Sequence, residues 1–211
     1  MDLLQFDAFL FDMDGVLADT DPTHKLAFKK FLAEYNIDCT DEYFEKNISG
    51  NHNMAIAKMI LCAEASSEEL KQWGSNKEKY FRDLYAPIIK ELDGVTPFLQ
   101  WLKQHNKKLA VCTSAPKENL VFILDALNIR QYFAVLLCED DVTEFKPHPQ
   151  IYLKACELLN VQPQYAVVFE DSDKGSQAGF SAGCKVVLVN NNRLHNDSFY
   201  GIIQNFSQLN L

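Results

Sequence analysis

Five short apolar runs punctuate the chain: FLF at 9–11, LAVC at 109–112, VLLC at 135–138, AVVF at 166–169 and VVLV at 186–189. Each run is continuous rather than alternating, as in a strand covered on both faces, and helical segments separate them from residue 94 onward. Two helix starts are readable. Thr96-Pro97 supplies an N-cap and a first-turn proline, and Ser114 can cap a helix that includes Pro116. Strand–helix alternation of this kind predicts an α/β fold with a parallel sheet.

Residues 21 to about 90 break the rhythm. Phe28, Phe31, Leu32 and Tyr35 fall on one helical face, Ile56, Met59, Ile60 and Ala63 repeat that spacing, and a charged helical stretch follows from about Ser66. The expected organisation is a core of residues 1–20 and 91–211 with an all-helical domain, 21–90, inserted after the first strand.

Composition narrows the class. A chain of 211 residues with 47% hydrophobic and 23% charged positions can bury a core and is ordinary for a soluble protein. No apolar stretch approaches the roughly 20 residues of a membrane span. The start, MDLLQFDAF, lacks the basic residues of a signal peptide, so the expected location is the cytoplasm, with no membrane partner. Six scattered cysteines without metal-ligand spacing read as buried, reduced thiols. A formal charge of −9 without a basic cluster disfavours nucleic acid and leaves an anionic small molecule, met by a bound cation and a lysine or two. A monomer is the default expectation.

Ligands of an open parallel sheet bind beyond the carboxyl ends of its strands. There the first strand offers Asp12 and Asp14, the second Thr113 and Ser114, and the fourth Glu170, Asp171 and Asp173, while Lys146 stands in a loop after the third. Residues i and i+2 of a strand share a side, so Asp12 and Asp14 can serve one site, and Gly15 permits a sharp exit. Crowded carboxylates repel unless a cation sits among them, and an all-oxygen donor set favours Mg²⁺. Asp173 reads as a helix N-terminal acid and is left out of that set.

FDMDGVLADT, Thr113 after its apolar run, Lys146 in KPHPQIY and FEDSDKGSQAG together resemble the four ordered motifs of the haloacid dehalogenase-like superfamily. The subgroup is that of the beta-phosphoglucomutase-like phosphatases, whose helical cap the insert resembles. The resemblance implies a Rossmann-like core and a Mg²⁺-dependent phosphohydrolase acting on a small phosphorylated metabolite, a sugar phosphate being the expected class. Asp12 would be the nucleophile that forms an aspartyl-phosphate, and Asp14 the general acid and then base, its carbonyl also binding metal. Asp171 would be a metal ligand with Glu170 as ligand or hydrogen-bond acceptor beside it. Thr113 and Ser114 would hold phosphate oxygens at a helix start, and Lys146 would neutralise charge on nucleophile and phosphoryl group.

In the cap, His24, Gly50, Asn51 and Lys77 match substrate-facing positions of the subgroup. Read without the resemblance, they are an exposed helical histidine, a helix start and a solvated lysine. A phosphomutase is the first alternative, but Asn53 stands where mutases carry an arginine for the second phosphate, and asparagine is not a charged, forked donor. Dehalogenase chemistry is disfavoured because Asp14 is present. A non-catalytic phospho-acceptor or partner-binding module is the alternative from another class. Receiver domains carry their acceptor after the third strand and lack a helical insert after the first.

Overall fold

Strand β1 (Ala8–Phe11) occupies the middle of a six-stranded, wholly parallel sheet of order β3-β2-β1-β4-β5-β6. The others are β2 (Lys108–Cys112), β3 (Val135–Leu137), β4 (Ala166–Glu170), β5 (Lys185–Val189) and β6 (Gly201–Ile203). The computed structural model describes residues 1–48, 53–61, 65–190 and 198–209. Gly50, Asn51 and Ala63 of the expectations above lie outside the described residues. The chain divides into two compact units, Met1–Asp19 with Ile89–Leu211 and Thr20–Ile88. The fold is α/β with an all-helical insertion after β1.

Every described β1 side chain is buried, which is why its sequence runs apolar without alternation. Ala8 and Leu10 pack with Ile151 and Ala155 of α7 (Gln150–Leu159) and Ala178 of α8 (Asp173–Ser181). Phe9 and Phe11 point the other way, where Phe98 of α5 (Val95–Gln104), Phe169 and Phe206 form an aromatic layer. Phe11 stacks on Phe169 with centroids 5.0 Å apart. After β1 the chain builds outward through β2 and β3, then returns to place β4 on β1's other side. The winding of the chain therefore reverses between β1 and β4, and in open parallel sheets ligands bind beyond the strand ends at such a switch point.

Three local readings change. Helix α5 begins at Val95 after Gly94, whose φ of +87° and missing Cβ, which would stand 2.4 Å from the Ser207 nitrogen, leave room for no other residue. Thr96 is thus inside the first turn rather than the cap, and its hydroxyl donates to Glu91. Helix α6 (Lys117–Ala126) has Pro116 at its N-cap, so Ser114 precedes the helix without capping it. Strand β6 has only three residues, none of them part of a long apolar run.

The insertion holds α1 (Asp21–Ala33), α2 (Asp41–Asn47), α3 (Asn53–Leu61) and α4 (Ser67–Tyr85). Phe28, Phe31 and Leu32 are buried together with Ile56, Leu70 and Trp73. Tyr35 lies beyond the end of α1, and Met59 is exposed, so α3 packs through Ile56, Ala57 and Ile60 instead. Helix α4 starts in a capping box of Ser66 and Glu69. No described helix is long and apolar enough to cross a membrane.

Candidate active site

Asp12 extends β1 by one residue, its N–H donating to the Phe169 carbonyl at 3.0 Å. It lies two residues beyond Leu10, and Glu170 two beyond Val168, so both carboxylates share the sheet face covered by α7 and α8. The register pairs Phe11 with Phe169 and thereby sets Asp12 level with Glu170.

Lys146 arrives from the loop before α7, and its ammonium is fully engaged. It donates to Asp12 Oδ1 at 2.7 Å, Glu170 Oε1 at 2.6 Å and the Cys112 carbonyl at 2.9 Å. Three protons meet three acceptors, with side chains only 7%, 12% and 1% exposed for Lys146, Asp12 and Glu170. The Glu170 carboxylate is equally occupied. Oε1 also accepts from the Tyr152 hydroxyl at 2.7 Å, and Oε2 accepts from the Asp171 and Ser172 N–H groups and the Ser172 hydroxyl. Gly175 makes room for it, since a Cβ there would stand 1.8 Å from Glu170 Oε1.

Asp14 leads a tight turn in which Leu17 and Ala18 donate to the Met13 carbonyl and Gly15 to Ala18. Gly15 has φ +71°, and a Cβ would fall 2.1 Å from Asp171 Oδ2, so the turn and the Asp171 carboxylate both require glycine. Thr113 is buried at the end of β2, its hydroxyl accepting from the Ala115 N–H at 3.0 Å, whereas Ser114 is exposed.

Burial raises the Asp12 carboxyl to about 8; Lys146 opposes the rise, while the charges of Glu170 and Asp14 add to it. Burial would lower Lys146, but Asp12 and Glu170 outweigh it and hold the ammonium charged. Burial also pushes the Tyr152 phenol up, keeping it a donor. Among the described residues, oxygens of Asp12, Glu170 and Asp171 lie within 4.8 Å of one another. This hard-oxygen set fits Mg²⁺, and a cation there would offset both the burial and the carboxylate repulsion that lift Asp12.

Within the insertion, Lys77 and Glu78 are both buried and pair at 2.7 Å. Lys77 lies 3.2 Å from His24 Nδ1 and 4.3 Å from the centre of the Phe28 ring, and Asn53 donates to Glu78 Oε1 at 2.6 Å. His24 stacks on Phe81. Lys77 is thus no solvated lysine, and His24 is half-buried rather than exposed. Burial works against the Glu78 charge, yet Lys77, His24 and the Asn53 hydrogen bond hold its pKa down at about 2. Because that lies below the ordinary 4.5, the pair contributes fully above about pH 4.5 and its contribution drains away toward pH 2. Glu78→Gln leaves a buried ammonium without a carboxylate and should cost about 3–5 kcal/mol at neutral pH. The melting difference from wild type should shrink on acidification across that window; a pH-independent difference contradicts the assignment.

The sequence reading missed Tyr152 and Glu78. Tyr152 was visible only as a polar-tipped residue on the otherwise apolar face of α7. Glu78 lies in the charged stretch that begins near Ser66, and nothing in its spacing marks it as buried.

A haloacid dehalogenase-like hydrolase model matches residues 9–189. The phosphorylated carbohydrates phosphatase of Thermotoga maritima is 33% identical over 84% of this chain and 82% of its own. Fructose-1-phosphate phosphatase YqaB of Escherichia coli is 29% identical over 88% of this chain and 97% of its own. The crystal structure of beta-phosphoglucomutase from Clostridium difficile superposes with a TM-score of 0.82 at 28% identity, covering 97% of this chain and 93% of that one. By the family match, the sheet and the order of its site residues, this chain belongs to the haloacid dehalogenase-like hydrolases, in their beta-phosphoglucomutase-like subgroup.

Proposed function

We propose that the chain is a Mg²⁺-dependent phosphatase that cleaves a sugar phosphate through an aspartyl-phosphate on Asp12. The observation that carries this reading is the buried Asp12–Lys146–Glu170 cluster at the switch point of the sheet. The names of the two phosphatase relatives support the substrate class.

In the first step an Asp12 carboxylate oxygen attacks phosphorus, the ester P–O bond breaks, and Asp14 gives its proton to the departing sugar oxygen. In the second step Asp14 takes a proton from water, which attacks the same phosphorus and releases inorganic phosphate and a free Asp12. Lys146 keeps Asp12 oriented and offsets negative charge in both steps. Thr113 and the N–H groups after it would receive the phosphoryl oxygens. Asp12, Asp171 and the Asp14 carbonyl would hold Mg²⁺, with Glu170 braced beside them, and the cation would shield the phosphoryl charge from these carboxylates. Asn53, engaged with Glu78, offers no cation for a second phosphate and favours the hydrolase over a mutase.

A panel of sugar phosphates, short-chain phosphates and nucleotides, assayed for phosphate release, tests this reading. Release should be greatest with sugar monophosphates and fall to background in EDTA. Conversion of beta-glucose 1-phosphate to glucose 6-phosphate without free phosphate would make it a mutase instead.

A further inference from the structure

We propose that Tyr152 is a positioning residue of this site: its buried hydroxyl fixes the Glu170 carboxylate, which in turn holds Lys146 on Asp12. The inference rests on the phosphatase reading above. Tyr152 is wholly buried on α7, among Ile151, Ala155, Cys156 and Leu159, where a phenylalanine would fill nearly the same space. A hydroxyl on such a face carries a desolvation cost unless it finds a partner. Its partner is Glu170 Oε1 at 2.7 Å, the same oxygen that accepts from Lys146 at 2.6 Å. The Tyr152 ring also lies against Lys146, 5.1 Å from Nζ to the centroid, so one side chain touches both members of the ion pair.

The geometry explains why this matters for turnover. Lys146 is shared between two carboxylates, and its place between them depends on how strongly each attracts it. The phenol spreads the charge of Oε1 over two donors. Without it, that oxygen turns to Lys146 alone and draws the ammonium away from Asp12, weakening the restraint on the nucleophile. Tyr152 touches no reacting atom in this scheme. Its effect passes through Glu170.

Tyr152→Phe removes the hydroxyl and keeps the ring. Positioning partners of this kind typically contribute about 10–100-fold, and a fall in kcat of that size is expected, with KM for the best sugar monophosphate within about two-fold of wild type. Glu170→Gln and the double variant close a cycle. If Tyr152 acts through Glu170, the double variant is no slower than Glu170→Gln alone. The same cycle in melting temperatures reads the contact without turnover and should be non-additive too. An unchanged kcat in Tyr152→Phe, a rise confined to KM, or additive losses in the cycle would each overturn the proposal. A wild-type chain inactive on every phosphate ester would overturn the phosphatase reading and this proposal together, whereas an active wild type with an unaffected variant overturns this proposal alone.

Discussion

Asp12→Asn is expected to abolish turnover, with a loss in kcat of at least about 10⁴-fold, while the variant melts no lower than wild type. Asparagine cannot form the acyl phosphate, and loss of a nucleophile leaves only the residual effect of binding and charge stabilisation. The stability half applies to melting without divalent metal, where burial, reinforced by the neighbouring carboxylates, raises the Asp12 pKa to about 8. A carboxyl lifted above its ordinary value is one whose charged form the fold disfavours at neutral pH. The amide is close in shape and removes that cost, and Lys146 keeps Glu170 and the Cys112 carbonyl as acceptors. Steady-state assay and thermal melting check both halves. A variant that stays within about ten-fold of wild type would remove Asp12 from the chemistry.

Lys146→Met should lose both activity and stability, and so differs in kind from Asp12→Asn. The substitution leaves Asp12 and Glu170, both buried, without the cation they share. Removing one partner of a buried ion pair typically costs about 3–5 kcal/mol, more than an exposed pair contributes. Part of that cost is relieved if a carboxyl takes up a proton, and the natural candidate is Asp12, already lifted toward neutrality. A protonated Asp12 is no nucleophile, so the relief lowers activity further. Losses of about 10²–10³-fold in kcat are expected from charge stabilisation alone. A variant with wild-type melting and kcat would show that Lys146 is incidental to the site.

The two variants separate what each group does. Asp12 is a residue whose charge the fold accommodates at a cost, and Lys146 is what makes that accommodation possible. The donors to Glu170 then determine where the lysine rests. Sites that hold like charges together commonly trade stability for function in this way.

Much of this was legible in the chain. The runs that became β1, β2, β4 and β5 are apolar throughout because both sheet faces are covered, and helices between them leave few topologies to consider. Asp12 and Asp14 could be picked out because charge at the end of a buried strand has no packing explanation. What stayed hidden was decided through space. The pairing of Phe11 with Phe169 brings together residues more than 150 positions apart, and only that register makes Asp12 and Glu170 neighbours of one lysine. Tyr152 looked like a core aromatic because its ring is one; the hydroxyl's role depends on where β4 ends. Lys77 and Glu78 sit in a stretch of alternating charge that reads as a solvated face, and their burial follows from helix packing within the insertion. Gly94 took the cap from Thr96 because a contact with Ser207 forbids a side chain there. Strand β6 is too short and too exposed to carry a periodic signal.

The most direct test of the account is to trap the covalent intermediate. Enzyme turning over a sugar phosphate radiolabelled in its phosphoryl group would be quenched rapidly in acid, digested and mapped. The account predicts label on the peptide that carries Asp12, discharged by hydroxylamine and absent from Asp12→Asn. Full turnover with no label on that peptide, together with an Asp12→Asn variant that still releases phosphate, would mean that water attacks the substrate directly and that Asp12 is not the nucleophile.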